Sequence, residues 1–267
     1  MRVHPTAGPL GPVLAAVVVV AMTASPAIAQ RGRAGGPGPQ AAQSAQASAP
    51  IDLTGYWVSI VNEDWRWRMV TPPKGDVASV PLNGEGRKVA DSWDPATDGS
   101  CLAYGAAALM RMPTRLHITW ENENTLKIDT DSGTQTRRLL FNTATAPTAE
   151  KSLQGFSRAE WERSGGRGGA RGGAPAGGGN LKVVTTNLSG GWLRKNGVPY
   201  SEDASITEYF DRLPASLNGD VWLLVLTIVE DPKYLTQPFF TSTTFRLEPD
   251  GSKWNPTPCR TEPPSKS

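Results

Sequence analysis

Apolar and polar positions alternate with a period of two through much of the chain after Arg115. Leu116, Ile118 and Trp120 alternate with Arg115, His117 and Thr119. After a turn at Glu121–Asn124, Leu126, Ile128 and Thr130 alternate with Lys127, Asp129 and Asp131. Ser132-Gly133 turns the chain again and Thr134–Phe141 returns. The short turns predict a meander of directly paired strands, each with one buried face. Further strands are predicted over Leu181–Leu188 and Ala204–Leu213, where Ile206, Glu208 and Phe210 share a face opposite Thr207, Tyr209 and Asp211. Val221–Glu230 is apolar on both faces and β-branched, as a strand covered on both sides is. Asp231-Pro232 stops it, because proline lacks the ladder donor and restricts its predecessor. Thr241–Leu247 follows as its partner, and this pair is predicted to sit at the centre of the fold.

Before Arg115 the pattern is less regular. Leu53, Tyr56, Trp57, Val58 and Ile60 suit a first strand. Glu63–Val70 reads as a strand with Trp65, Trp67 and Met69 on one face and Asp64, Arg66 and Arg68 on the other. Leu82–Trp93 reads as a short helix capped by Asn83, and Tyr104–Met112 as an irregular or helical plug. The sum is a mainly β chain forming a single antiparallel barrel or strongly curved sheet, with one or two short helices.

The two ends and one interior stretch fall outside this pattern. Residues 1–29 have a polar start, the apolar run Leu14–Met22 and small residues at Ala27 and Ala29. This is the pattern of a signal peptide cleaved between Ala29 and Gln30, and the run is too short to span a membrane. Residues 30–50, rich in Gly, Ala, Gln, Ser and Pro, read as a disordered leader. Residues 164–179 read as a flexible Gly/Arg-rich insertion at a hairpin tip, and 261–267 as a disordered tail. One domain is left over 51–260. The expected location is periplasmic or secreted.

Charge and cysteines sharpen this. The chain carries +2, but Arg2, Arg31 and Arg33 lie ahead of Ile51, so the remainder carries −1. No basic face suited to nucleic acid remains. The two cysteines, Cys101 and Cys259, are expected to form a disulfide in an oxidising compartment. With one histidine, His117, beyond residue 29, they make no zinc set, and neither a metal nor a cofactor is expected.

Two resemblances follow from motifs. Gly55-Tyr56-Trp57 resembles the G-x-W opening of lipocalin and other calycin barrels. That resemblance implies an arginine of the last strand, here Arg246, stacked across Trp57. The run D-L-T-G-x-W, C-x-x-Y-G-A-A-A-L-M-R-M-P, G-V-P-Y-S-E, T-E-Y-F-D-R and T-I-V-E-D-P-x-Y-L-x-Q-P-F resembles a large family of exported bacterial proteins without an assigned activity. It covers nearly the whole domain. The resemblance implies histidines in many relatives at the places where this chain has Tyr200 and Ser205 or Ile206, so any histidine chemistry of theirs is not expected here.

For chemistry, the chain holds no G-x-S-x-G, H-E-x-x-H, P-loop or G-x-G-x-x-G motif. The candidate catalytic groups are His117, Glu208, Tyr209 and Asp231. Histidine titrates near neutrality, and carboxylates in apolar strands either pair with a cation (Arg194, Arg212 or Arg246) or shift in pKa. Trp57, Trp65, Trp67, Arg66 and Trp120 are candidate ligand contacts, since aromatic surfaces commonly line small-molecule sites. Three functions fit: a protein binding a small apolar or aromatic molecule in a tryptophan-lined barrel; a barrel isomerase, cyclase or lyase; and a ligand-free envelope domain.

Overall fold

The alternating segments close on themselves. The computed structural model describes residues 43–96, 98–99, 101–143, 150–163 and 178–260. The predicted signal segment with its Ala29–Gln30 junction, most of the predicted leader and of the Gly/Arg insertion, and the tail 261–267 lie outside the described residues. In chain order the elements are β1 (Gly55–Ile60), α1 (Trp65–Arg68), α2 (Gly84–Ser92), a 3-10 turn at Cys101–Tyr104, α3 (Ala106–Leu109), β2 (Arg115–Asn122) and β3 (Thr125–Thr130). Then come β4 (Ser132–Gly133), β5 (Thr136–Leu140), β6 (Phe156–Arg163), β7 (Gly179–Thr186), β8 (Gly191–Arg194) and β9 (Val198–Tyr200). The last are β10 (Ser205–Leu213), β11 (Trp222–Glu230), β12 (Phe239–Glu248) and β13 (Thr257–Pro258).

Nine strands form a closed barrel in the order β1-β12-β11-β10-β7-β6-β5-β3-β2. A closed ring of strictly alternating directions needs an even number of strands. Nine therefore force one parallel seam, and it lies between β5 and β6, held by Leu139 opposite Ser157 and Leu140 opposite Arg158. The other seams are antiparallel, as expected.

The interior is packed with side chains. Trp57, Leu116, Ile118, Leu126, Ile128, Leu139, Leu181, Val183, Phe210, Leu223, Val225 and Phe245 form one buried cluster. Both ends are closed. At the end where β1 begins, Trp120, Phe141 and Trp161 pack ring against ring. Trp161 Nε1 donates to the Ala45 carbonyl at 2.8 Å and Ala45 N donates to Asn124 at 3.0 Å. The domain therefore begins before Ile51: the last residues of the predicted leader form a docked turn, because the barrel end supplies partners that a free segment lacks.

At the other end, the long β1–β2, β7–β10 and β11–β12 connections build a cap from α1, α2, α3 and the β8–β9 hairpin. Its core of Val80, Leu82, Leu188, Leu193, Val198 and Tyr200 continues into Ile206, Val229 and Phe239 of the barrel. Asn83 caps α2 as predicted, accepting from Glu85 N and Gly86 N at 3.0 and 2.9 Å. After β12 the tail returns along the outside. Trp254 lies edge-on to the stacked rings of Tyr56 and His117, β13 pairs with β4, and the predicted Cys101–Cys259 disulfide fastens it to the cap. No helix among the described residues is long and apolar enough to cross a membrane.

Three sequence expectations fail. β11 is not covered on both faces: its buried positions alternate, and Leu226 on the outward face is exposed. Glu63–Val70 is not a strand, because both neighbours of β1 are already supplied by β12 and β2. Asp64 takes a left-handed backbone (φ 51°) and starts the one-turn helix α1 instead. Trp65 and Trp67 thus do not share a face. Nor does Arg246 cross Trp57: β12 turns Phe245 inward and Arg246 outward, while Trp57 points inward and donates Nε1–H to the Leu53 carbonyl at 3.0 Å.

Candidate functional site

Three of the four candidate acid–base groups, Glu208, Asp231 and His117, are engaged in holding the fold. Glu208, on the inward face of β10, is fully buried with Arg137 of β5. Arg137 Nη2 donates to Glu208 Oε2 at 2.5 Å and Nη1 to Oε1 at 3.0 Å, a two-bond fork that gives a buried carboxylate its counter-charge. Thr185 Oγ1 accepts a third bond from Arg137 at 3.3 Å and shares a hydrogen bond with Ser157. The partner is neither Arg194, Arg212 nor Arg246, as the sequence had suggested. Asp231 accepts from Ser201 N, Ser201 Oγ, Lys233 N and Tyr234 N, tying the turn after β11 to the end of β9. Tyr209 lies on the outward face of β10. His117 lies opposite Asp129 across the β2–β3 ladder but stacks on Tyr56 at 4.1 Å between ring centres.

The candidate ligand contacts separate as well. Trp57 is sealed in the core and Trp120 belongs to the aromatic floor. Trp65 is 65% exposed on α1. Only Trp67 and Arg66 come together in the cap. Trp67 Nε1 and Arg66 Nη2 both donate to Asp76, at 3.2 and 2.8 Å. Burial raises the Asp76 pKa, but the Trp67 hydrogen bond, the Arg66 charge, the Ala78 amide and the Arg194 charge together outweigh it and hold the carboxyl below its ordinary range.

Open volume lies outside the barrel lumen. A cleft of about 390 Å³ opens in the cap between Trp93, the 3-10 turn, the β8–β9 turn and the returning tail. Trp93 and Tyr104 supply aromatic walls, with Lys195 and Arg260 among the polar groups. Trp93 is fixed by Asp98, which accepts its Nε1–H at 3.0 Å and that of Trp192 at 3.1 Å. The Lys195 ammonium sits 5.4 Å from the centre of the Tyr104 ring, within cation–π range. Each wall rests on a glycine with positive φ. A β-carbon at Gly197 would meet the Trp93 ring at 2.2 Å, and one at Gly133 would meet the Tyr104 ring at 2.2 Å.

Elsewhere in the cap core the Tyr200 hydroxyl is buried without a hydrogen-bond partner. Burial pushes its pKa well above the ordinary phenol value, against the pull of nearby Arg137. Sequence reasoning missed Trp93, Tyr104 and Lys195 as a group, because the first two sit far apart on the irregular β1–β2 connection and the third on the β8–β9 turn, with no period to relate them. Among the described residues no cluster of three His, Cys, Asp or Glu side chains could hold a metal ion. The chain matches no family model and no curated protein sequence.

Proposed function

We propose that this is an exported small-molecule-binding protein that uses the cap cleft rather than the barrel lumen. The observation that carries the reading is the cleft itself: about 390 Å³ walled by Trp93 and Tyr104, with the Lys195 ammonium at its edge. That volume falls in the range of small-molecule sites, and the lining is more polar than apolar, which suits a ligand that joins a ring to a charged group. The lumen, by contrast, is occupied by side chains and the Arg137–Glu208 pair. The ligand class is a small aromatic compound, and Lys195 favours one bearing an acidic substituent. Export is supported by the signal pattern at 1–29 and by the disulfide. The resemblance to exported bacterial proteins agrees with it. The engagement of Glu208, Asp231 and His117 in structural contacts favours binding over acid–base catalysis.

The test is native mass spectrometry of protein purified from its own exported fraction, together with tryptophan fluorescence titration against aromatic acids and their neutral analogues. A retained small molecule, or a saturable signal weakened about tenfold or more in Trp93→Ala or Lys195→Met, supports the cleft. A filled cleft with no saturable signal for any compound ends this reading.

A further inference from the structure

A second place in the cap is unexplained by the cleft and stands independently of it. Arg194, the last residue of β8, is 3% exposed, yet its Nε, Nη1 and Nη2 are all buried without a hydrogen-bond partner. Its guanidinium lies 4.6 Å from the Trp67 ring centre, a contact that leaves its N–H groups unmet. Arg111, equally buried, gives Nη2 to Asp64 at 2.9 Å and leaves Nη1 unpaired. Arg68 Nε donates to the Arg111 carbonyl at 2.8 Å, Nη2 donates to Ser59 Oγ at 3.1 Å, and Nη1 lies 3.6 Å from the Glu63 carboxylate. The Glu63 carboxylate accepts no hydrogen bond.

Four arginines (66, 68, 111 and 194) thus face three carboxylates (63, 64 and 76), and Arg194 is the one without an ion pair. A buried, unpaired cation is costly. The cost shows in Arg194, whose pKa is pushed down to about 10, by burial first and then by Arg111. Between Trp67, Arg68, Arg111, Met112, Leu193 and Arg194 lies a recess with about 10 Å³ of free space. That is room for about one water-sized sphere.

We propose that Arg194 and the free Nη1 of Arg111 seat a small monatomic anion, of halide size, in this recess. One such ion supplies the missing negative charge and accepts N–H bonds from Arg194. Sulfate or phosphate, with four oxygens, exceeds the free space there.

Bromide is the probe. Crystals of the mature chain in sodium bromide should show an anomalous peak at the Arg194 guanidinium, absent in Arg194→Gln. In solution, the melting temperature should rise with bromide but not with sodium gluconate at equal ionic strength. That difference should disappear in Arg194→Gln and persist in Arg66→Gln, whose side chain is exposed. An Arg194 site holding only water in the wild-type map overturns the proposal. So does an equal response to bromide and gluconate. If Arg194→Gln does not fold, the wild-type map and the bromide–gluconate comparison decide alone.

Discussion

The Arg137–Glu208 pair gives the sharpest test of how the lumen is held. Both side chains are fully buried, and the fork between them is the counter-charge each has. Glu208→Leu removes two charge-assisted bonds and leaves the guanidinium with Thr185 alone, at 3.3 Å. Breaking a buried pair from one side costs about 3–5 kcal/mol, mainly from the stranded charge. Arg137→Met strands the carboxylate and should cost a similar amount. For a domain of this size each kcal/mol lowers the melting temperature by roughly 2–4 °C, so either single variant should melt about 6–20 °C lower. Arg137→Met with Glu208→Leu together strands nothing and fills the same space with apolar atoms. It should be near neutral, or more stable by up to about 4 kcal/mol. Urea denaturation of the wild type, both singles and the double closes the cycle. A coupling energy of about 6–10 kcal/mol is expected, and more if the double variant is stabilised. If the double variant loses as much as the two singles combined, or either single loses under about 1 kcal/mol, the pair is not the isolated buried unit described here.

Three further outcomes are expected. Tyr200→Phe should match or exceed wild-type stability by about 1 kcal/mol, because the hydroxyl it removes is buried without a partner. Since the folded pKa of Tyr200 lies above the unfolded value, the stability from keeping the phenol neutral is present below about pH 10 and is lost as pH rises beyond it. Alkaline melts should therefore be flatter for the variant, and identical profiles would count against the assignment. Replacing Cys101 and Cys259 with Ser opens a link across 158 residues, worth about 5 kcal/mol on chain-entropy grounds and commonly 2–4 in measurement; calorimetry with and without reductant should show the same loss. Trp161→Ala removes the bond to Ala45 and a ring of the floor cluster. It should cost about 3–5 kcal/mol and make residues 43–50 the first site of limited proteolysis.

Most of the barrel was legible because its strands obey a period of two and most inward positions are apolar; β6 was not read as a strand, since charged and aromatic residues crowd its sequence. Leu116–Ile118, Leu126–Ile128 and Ile206–Phe210 point inward as the alternation requires. The cap was not, since its pieces come from connections whose residues meet only through closure of the barrel. Arg137 and Arg138 are adjacent, and composition cannot say which turns inward; the register opposite Ile128 and Lys127 decides it. The W-R-W-R run alternates like a strand, yet a strand there would have had no edge to join. Its Trp67 nevertheless belongs to the cap, beside an arginine from a distant hairpin that no local pattern announces.

The odd strand count has a consequence for motion. Each antiparallel seam is held by four or more paired positions, while β5 and β6 share two. A staved wall fastened so briefly along one line parts there first, as a zip parts at its unstitched end. Brief gaping at this line would let solvent reach Arg137 and Ser157 while the rest stays shut, so the amides at the β5–β6 contact should take up deuterium well before those between β10 and β11.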